Sequence, residues 1–321
     1  MKLLFVDQYH LRPQEVERFR TLGFDEVVLA SPDQSPAEVC DDPASIEVMV
    51  AREPYLTKYG HLLPGLRMMQ MSLAGLDILP EGLLEPFPNL KLYSGSGCYG
   101  VSIAEWSIAK VLEIYKQRAL FDGYREERKW SWEGSLNSQE LFGKTAVVLG
   151  TGDIGSACAK RLKGFDCTVH GVNTGGGERP YFDACHPIEA LAEVLPLGDV
   201  VIVTLPMTPK TRGLLDAPMM AHIKQGAVLV VNSRGGLIDE RKLCEMLDSG
   251  QLYGAALDVF ETEPLPADSP LWDQKNLLIQ PHGSGVTSGL RDRYIEWFYE
   301  NIKRYVDGEQ PRSLVVPGRG Y

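Results

Sequence analysis

Apolar positions in this chain fall in short runs, set apart by turn-rich or helix-periodic stretches. Over the first hundred residues the runs are Leu3 to Val6, Val27 to Ala30, Val48 to Ala51, Met68 to Ser72 and Leu90 to Tyr93. Strand-length runs alternating with helical stretches predict a small parallel α/β unit. Between Ser102 and Leu120, Ile103, Trp106, Ile108, Val111, Leu112 and Tyr115 recur close to the helical period, which predicts one long helix leading into a second domain. The polar stretch from Asp122 to Gln139, with Trp130 and Trp132, has no clear period and reads as a connecting loop or arm.

From Lys144 the rhythm restarts. Strands are predicted at Thr145 to Leu149, Thr168 to Val172, Val200 to Leu205, Ala227 to Asn232, Tyr253 to Val259 and Leu277 to Gln280, with helices between most of them. Six such strands suit a doubly wound sheet. The aromatic-rich stretch from Ser288 to Val306 reads as a single helix that returns to the first domain. The expected organisation is thus a domain of residues 101–284 inserted into one formed by residues 1–100 and 285–321.

Composition narrows the classes of function. At 321 residues the chain has room for two domains, and 44% apolar with 23% charged residues is ordinary globular usage. No apolar run is long enough to span a bilayer, and Asp7 ends the first run well short of a signal-peptide core, so a cytoplasmic protein without membrane contact is expected. A net charge of −11 argues against a nucleic-acid surface. The six cysteines show no paired metal-ligand spacing, so no metal is expected, and they read as reduced thiols; Cys98, in a glycine-rich loop, reads as a buried bystander before an accessible thiol.

The first chemical signal is Gly150-Thr151-Gly152-Asp153-Ile154-Gly155, which follows a strand and opens a helix. Gly150 allows the tight turn, Gly152 leaves room for a pyrophosphate, and Gly155 lets helix and strand pack closely, with the anion at the helix N-terminus. An acidic residue is expected about 20 residues further on, to bind the ribose hydroxyls of NAD. Asn173 and Thr174 stand there instead, followed by three glycines. A neutral Asn does not repel a 2′-phosphate, so the strand end leans toward NADP and leaves NAD open.

Arg234, Glu263 and His282 each sit where a strand-like run gives way to a turn. A guanidinium at a sheet end can grip a carboxylate with two parallel bonds, although a strand-end Arg is otherwise usually a solvated charge. An imidazole titrating near neutrality can give and take a proton, while an isolated His is more often structural. A Glu in an acidic loop is commonly solvated, and Glu261 is assigned to that class.

Leu205-Pro206-Met207-Thr208-Pro209, Val231-Asn232-Ser233-Arg234-Gly235-Gly236, Leu257-Asp258-Val259-Phe260-Glu261-Thr262-Glu263-Pro264 and Gln280-Pro281-His282 succeed one another downstream of the glycine loop. In that order they resemble the signatures of the D-isomer-specific 2-hydroxyacid dehydrogenases, in particular glyoxylate/hydroxypyruvate reductase-like members. The resemblance implies two doubly wound parallel-sheet domains, a Rossmann cofactor domain inserted in a flavodoxin-like catalytic domain. It implies reversible reduction of a 2-oxo acid to a D-2-hydroxy acid with NAD(P)H, Arg234 holding the oxo acid and His282 giving the proton with Glu263 behind it. Cofactor contacts are implied at Gly150, Thr151, Gly152, Asp153, Ile154, Gly155, Asn173, Thr174, Leu205, Pro206, Ser233 and Asp258, the last toward the nicotinamide carboxamide with a structural cap as its competing role. Leu73, Ala74 and Gly75 resemble the loop whose amides receive the substrate carboxylate. Homodimers are implied, with Trp130 and Trp132 reaching the partner. The alternative is a dinucleotide-sensing binding protein on the same fold.

Overall fold

The structure is a computed structural model that describes residues 1–6, 10–77 and 79–316. Asp7, where the first strand run was expected to end, and the tail from Pro317 lie outside the described residues. Two compact units result, one of Met1–Cys98 with Ser288–Tyr321 and the other of Tyr99–Thr287.

The first unit is built on five parallel strands, β1 (Lys2–Val6), β2 (Glu26–Ala30), β3 (Ile46–Ala51), β4 (Met68–Met71) and β5 (Lys91–Tyr93), in the order β2-β1-β3-β4-β5. That is the flavodoxin-like order. Alternate side chains of β1 enter different layers. Leu4 and Val6 join a core with Val28, Met49, Met69 and Leu92. Phe5 instead lies 5.8 Å from Phe19 and 6.0 Å from Phe298, ring centre to ring centre. Phe298 belongs to the helix Leu290–Val306, so this C-terminal helix completes the core of the first unit. Asn301 on the same helix is fully buried and donates to Gln70 Oε1 at 2.7 Å, which ties it to β4.

The second unit holds seven strands: β6 (Thr145–Leu149), β7 (Thr168–Asn173), β8 (Ala184–Pro187), β9 (Val200–Val203), β10 (Ala227–Val231), β11 (Leu252–Leu257) and β12 (Leu277–Ile279). Their order is β12-β11-β10-β9-β6-β7-β8, all pairs parallel, the dinucleotide-binding order with one strand added at the far edge. Helices cover both faces, so both sets of alternate residues are buried. Val147 and Leu149 pack with Val201, Val203, Leu229 and Val231 on one side. Ala146 and Val148 pack with Val200, Ile202, Val228 and Val230 on the other, under the helices Gly100–Tyr115 and Asp153–Lys163.

Three sequence expectations are corrected. The sheet has seven strands rather than six, because β8 reads Ala-Cys-His-Pro and is only partly buried at the sheet edge, where no apolar run is required. The predicted helix from Ser102 to Leu120 ends at Tyr115, and Gln117, at φ 55°, turns the chain through the left-handed region into a second helix, Arg118–Glu126. The stretch from Asp122 to Gln139 is therefore not all loop: its first residues finish that helix, and Glu133–Asn137 form a 3₁₀ turn.

Candidate active site

In a parallel sheet every strand delivers its following loop to the same edge, so the carboxyl ends of β6, β7, β9, β10, β11 and β12 gather the singled-out residues of the second unit. Gly150 sits in the left-handed region at φ 97° and donates its amide to Val172 O at 2.8 Å, turning the chain off β6. A Cβ on Gly155 would fall 1.9 Å from Gly150 O, so only glycine lets the helix Asp153–Lys163 start this close to the strand. A Cβ on Gly152 would meet nothing within 4 Å. The helix it caps has no side-chain cap, which leaves amides of the first turn to an incoming anion. These features fit the pyrophosphate of a dinucleotide. Asp153 turns its carboxylate to the Gly100 amide at 3.0 Å, at the start of the helix Gly100–Tyr115.

At the end of β7 Asn173 is engaged with its own loop. Its Nδ2 donates to Gly177 O at 2.8 Å and its Oδ1 accepts from Gly175 N at 3.2 Å, an Asx-type closure that leaves Thr174 exposed at the tip. After β9, Leu205 is buried, and Pro206 O accepts the Thr211 hydroxyl at 2.6 Å, closing the Thr208–Thr211 turn. Ser233 follows β10; its hydroxyl, like Asn232 Oδ1, is buried without a hydrogen-bond partner. The adjacent Arg234 is half-buried and donates from Nη1 to Ser233 O at 2.8 Å.

His282 and Glu263 meet. His282 Nδ1 lies 2.8 Å from Glu263 Oε2, and Glu263 Oε1 accepts the Phe260 amide at 3.0 Å. His282 has φ 48°, an uncommon conformation for a residue with a Cβ, and its amide donates to Asp258 O at 2.8 Å. Asp258 is almost fully buried, and its carboxylate takes the amides of Gly283 at 2.8 Å and Ser284 at 3.0 Å together with the Ser284 hydroxyl. Burial raises its carboxyl above the usual range, against these hydrogen bonds and the neighbouring His282. The capping contacts of Asp258 thus hold the turn that carries the imidazole.

Two contacts on the Phe260–Glu263 turn were not legible beforehand. A Cβ on Gly235 would lie 1.7 Å from Phe260 O, so the backbone after Arg234 packs directly against the turn. Glu240 Oε1 accepts the Glu261 amide at 2.6 Å. Glycine after Arg234 was the only hint in the sequence. Chemically, this edge presents a guanidinium, a carboxylate-backed imidazole and an anion-accepting helix start. In the first unit, Leu73, Ala74 and Gly75 leave the carboxyl end of β4, and Leu73 O accepts the Gly95 amide at 2.7 Å. Of the thiols, Cys40, Cys98, Cys158 and Cys167 are buried, and burial pushes Cys158 up to about 12. Among the described residues no cluster of three metal-ligating side chains occurs, and no helix is long and apolar enough to cross a membrane.

The profile of the D-isomer specific 2-hydroxyacid dehydrogenase NAD binding domain matches residues 108–284, more than half of the chain. A hydroxypyruvate reductase of Blautia hydrogenotrophica is 27% identical over 325 residues, covering 96% of this chain and 98% of that protein. A D-3-phosphoglycerate dehydrogenase of Mycobacterium bovis is 33% identical over 225 residues; the match spans 68% of this chain and 41% of that longer protein. Among solved structures, a D-isomer specific 2-hydroxyacid dehydrogenase from Xanthobacter autotrophicus Py2, in complex with NADPH and MES, superposes with a TM-score of 0.79 at 27% identity, covering 100% of this chain and 99% of that one.

Proposed function

The chain belongs to the D-isomer-specific 2-hydroxyacid dehydrogenases, and on that premise we propose that it reduces a small 2-oxo acid to the D-2-hydroxy acid, reversibly, with NADPH or NADH. The observation that carries this reading is the Glu263–His282 pair at the sheet edge that also holds Arg234 and the glycine loop. A dinucleotide whose pyrophosphate lies at that loop would supply the hydride from its reduced nicotinamide. Gly150 to Gly155 would hold the pyrophosphate, Asn173 and Thr174 the adenosine end, and Leu205, Pro206, Ser233 and Asp258 the nicotinamide end.

The chain's own residues supply the rest. A carboxylate on Nδ1 fixes the imidazole as a donor at that atom, so Nε2 is the nitrogen that exchanges a proton. In reduction Nε2–H donates to the carbonyl oxygen; in oxidation the same nitrogen removes the hydroxyl proton. Arg234 binds the substrate carboxylate and polarises the carbonyl. The Glu263 carboxylate stabilises the imidazolium, a task a hydride transfer from formate, which moves no proton at the enzyme, does not require.

The hydroxypyruvate reductase match along nearly the full length favours small substrates such as glyoxylate and hydroxypyruvate. The neutral strand end at Asn173 supports NADPH, as does the NADPH bound in the Xanthobacter relative. Purified protein assayed with glyoxylate, hydroxypyruvate, pyruvate and bulkier 2-oxo acids, each with NADPH and NADH, tests the reading. Turnover of at least one supports it; dinucleotide binding without turnover of any would favour a sensing role.

A further inference from the structure

The Phe260–Glu263 turn presents the carboxylate that meets His282, and Glu240 holds that turn from outside the pair. Glu240 opens the helix Glu240–Asp248, but it is not the cap: Asp239 performs that task, accepting the Lys242 amide at 2.9 Å. Glu240 reaches the other way and takes the Glu261 amide at 2.6 Å. It is half-buried beside a cavity of about 550 Å³, whose charged wall includes Arg212, Asp216, Asp239, Arg241 and Glu261. Burial raises its carboxyl above the usual range; the Glu261 amide opposes the rise, and the negative charges of Glu261 and Glu263 add to it. Holding a third carboxylate in this company costs stability, and an uncharged glutamine could accept the same amide without that cost.

We propose that Glu240 is a positioning residue for the Glu263–His282 pair, pinning the turn at the Glu261 amide and adding its negative charge to those of Glu263, Asp258 and Glu261 around the imidazole. The proposal rests on the reading of His282 as proton donor. Its two parts separate by chemistry. Glu240→Gln keeps an acceptor for the amide and removes the charge, whereas Glu240→Ala removes both.

Reduction requires His282 to carry its proton, so the rate falls as pH rises through the imidazole's titration, and loss of a nearby negative charge moves that fall to lower pH. For Glu240→Gln the alkaline limb of the kcat/KM profile should shift down by roughly half a pH unit, with kcat on the plateau within about threefold of the parent. For Glu240→Ala, kcat should drop about tenfold or more while the Kd for NADPH, read by fluorescence, stays within about threefold. NMR titration of the His282 imidazole, assigned by its loss in His282→Asn, reads the same shift without turnover. A protein inactive on every 2-oxo acid would thus count against the proposed reaction and leave this titration to decide the role of Glu240. An imidazole that titrates identically in the parent and Glu240→Gln overturns the electrostatic part. Parent-like kcat in Glu240→Ala overturns the positioning part.

Discussion

His282 Nδ1 and Glu263 Oε2 stand 2.8 Å apart, while the second oxygen of the same carboxylate is fastened to the Phe260 amide. The carboxylate cannot rotate away without giving up a backbone bond, so the ring orientation is set by the fold rather than by substrate. His282→Asn should nearly abolish reduction, by about 10²–10⁴-fold, the usual worth of a general acid, while NADPH still binds. Steady-state kinetics with a fluorescence titration of NADPH checks both halves; parent-like turnover in a folded variant would remove His282 from the mechanism.

Arg234→Lys keeps a positive charge and loses the planar fork. The expected result is a fall in kcat/KM for 2-oxo acids of about a hundredfold, equivalent to roughly 2.7 kcal/mol of transition-state binding. Kinetics across the substrate panel that match the parent would place the carboxylate contact elsewhere.

Asn173→Asp places a carboxylate at the end of β7 and cannot donate to Gly177 O as Asn173 Nδ2 does. The turn should loosen and the charge should repel a 2′-phosphate while accepting ribose hydroxyls. The ratio of kcat/KM with NADPH to that with NADH should fall about tenfold or more. An unchanged ratio would show that this residue serves only the turn.

Trp130 is fully exposed, and Trp132 and Leu136 are mostly exposed, beyond the helix Arg118–Glu126. Large apolar groups at this density on one arm favour an interface, so a homodimer involving this arm is expected. Sedimentation at micromolar concentration should give a dimer that Trp130→Ala with Trp132→Ala weakens. A monomeric parent would refute the dimer, and an undisturbed dimer would refute the role of the two indoles.

Arg291 grips both oxygens of Glu15, at 2.8 and 2.6 Å, and this hydrogen-bonded contact lowers the Glu15 carboxyl to about 2. A carboxyl depressed in the folded state stabilises above its unfolded value, near 4.3, and that stabilisation is lost as pH falls toward about 2. Glu15→Gln should lower stability at pH 7 by about 1–2 kcal/mol after allowance for screening, and flatten the loss between about pH 4.5 and 2. Urea denaturation at pH 7, 4 and 3 would reveal an unaltered acid profile if the pair contributes nothing.

Much of the candidate site lies in motifs whose residue types are fixed by chemistry, so Arg234, Glu263, His282 and the glycine loop stood out in the chain itself. The contacts that organise them did not. Motif order singled out Glu263 and left Glu261 among the solvated acids, but nothing in the pattern marked Glu240. The packing of Gly235 on Phe260 and the reach of Glu240 to the Glu261 amide appear only in the folded structure. Asp258 was read as a cofactor contact with a cap as its competing role, and its capping bonds appear only once the turn at Gly283 and Ser284 is folded back on it.

The sequence by itself determined where the buried strands run, because parallel strands covered on both faces need continuous apolar stretches such as Val200–Val203 and Ala227–Val231. It also determined the glycine loop, since spacing alone imposes a turn, an open approach and a close helix in succession. Tertiary structure decided the edge strand β8, the break at Gln117 and the partners of Glu240, Asp258 and Glu263. An edge strand is held by backbone bonds to a neighbour, which leave little trace in side-chain pattern. A hydrogen bond between residues 19 positions apart, as between His282 and Glu263, exists only when two strand ends have been brought to the same edge of one sheet.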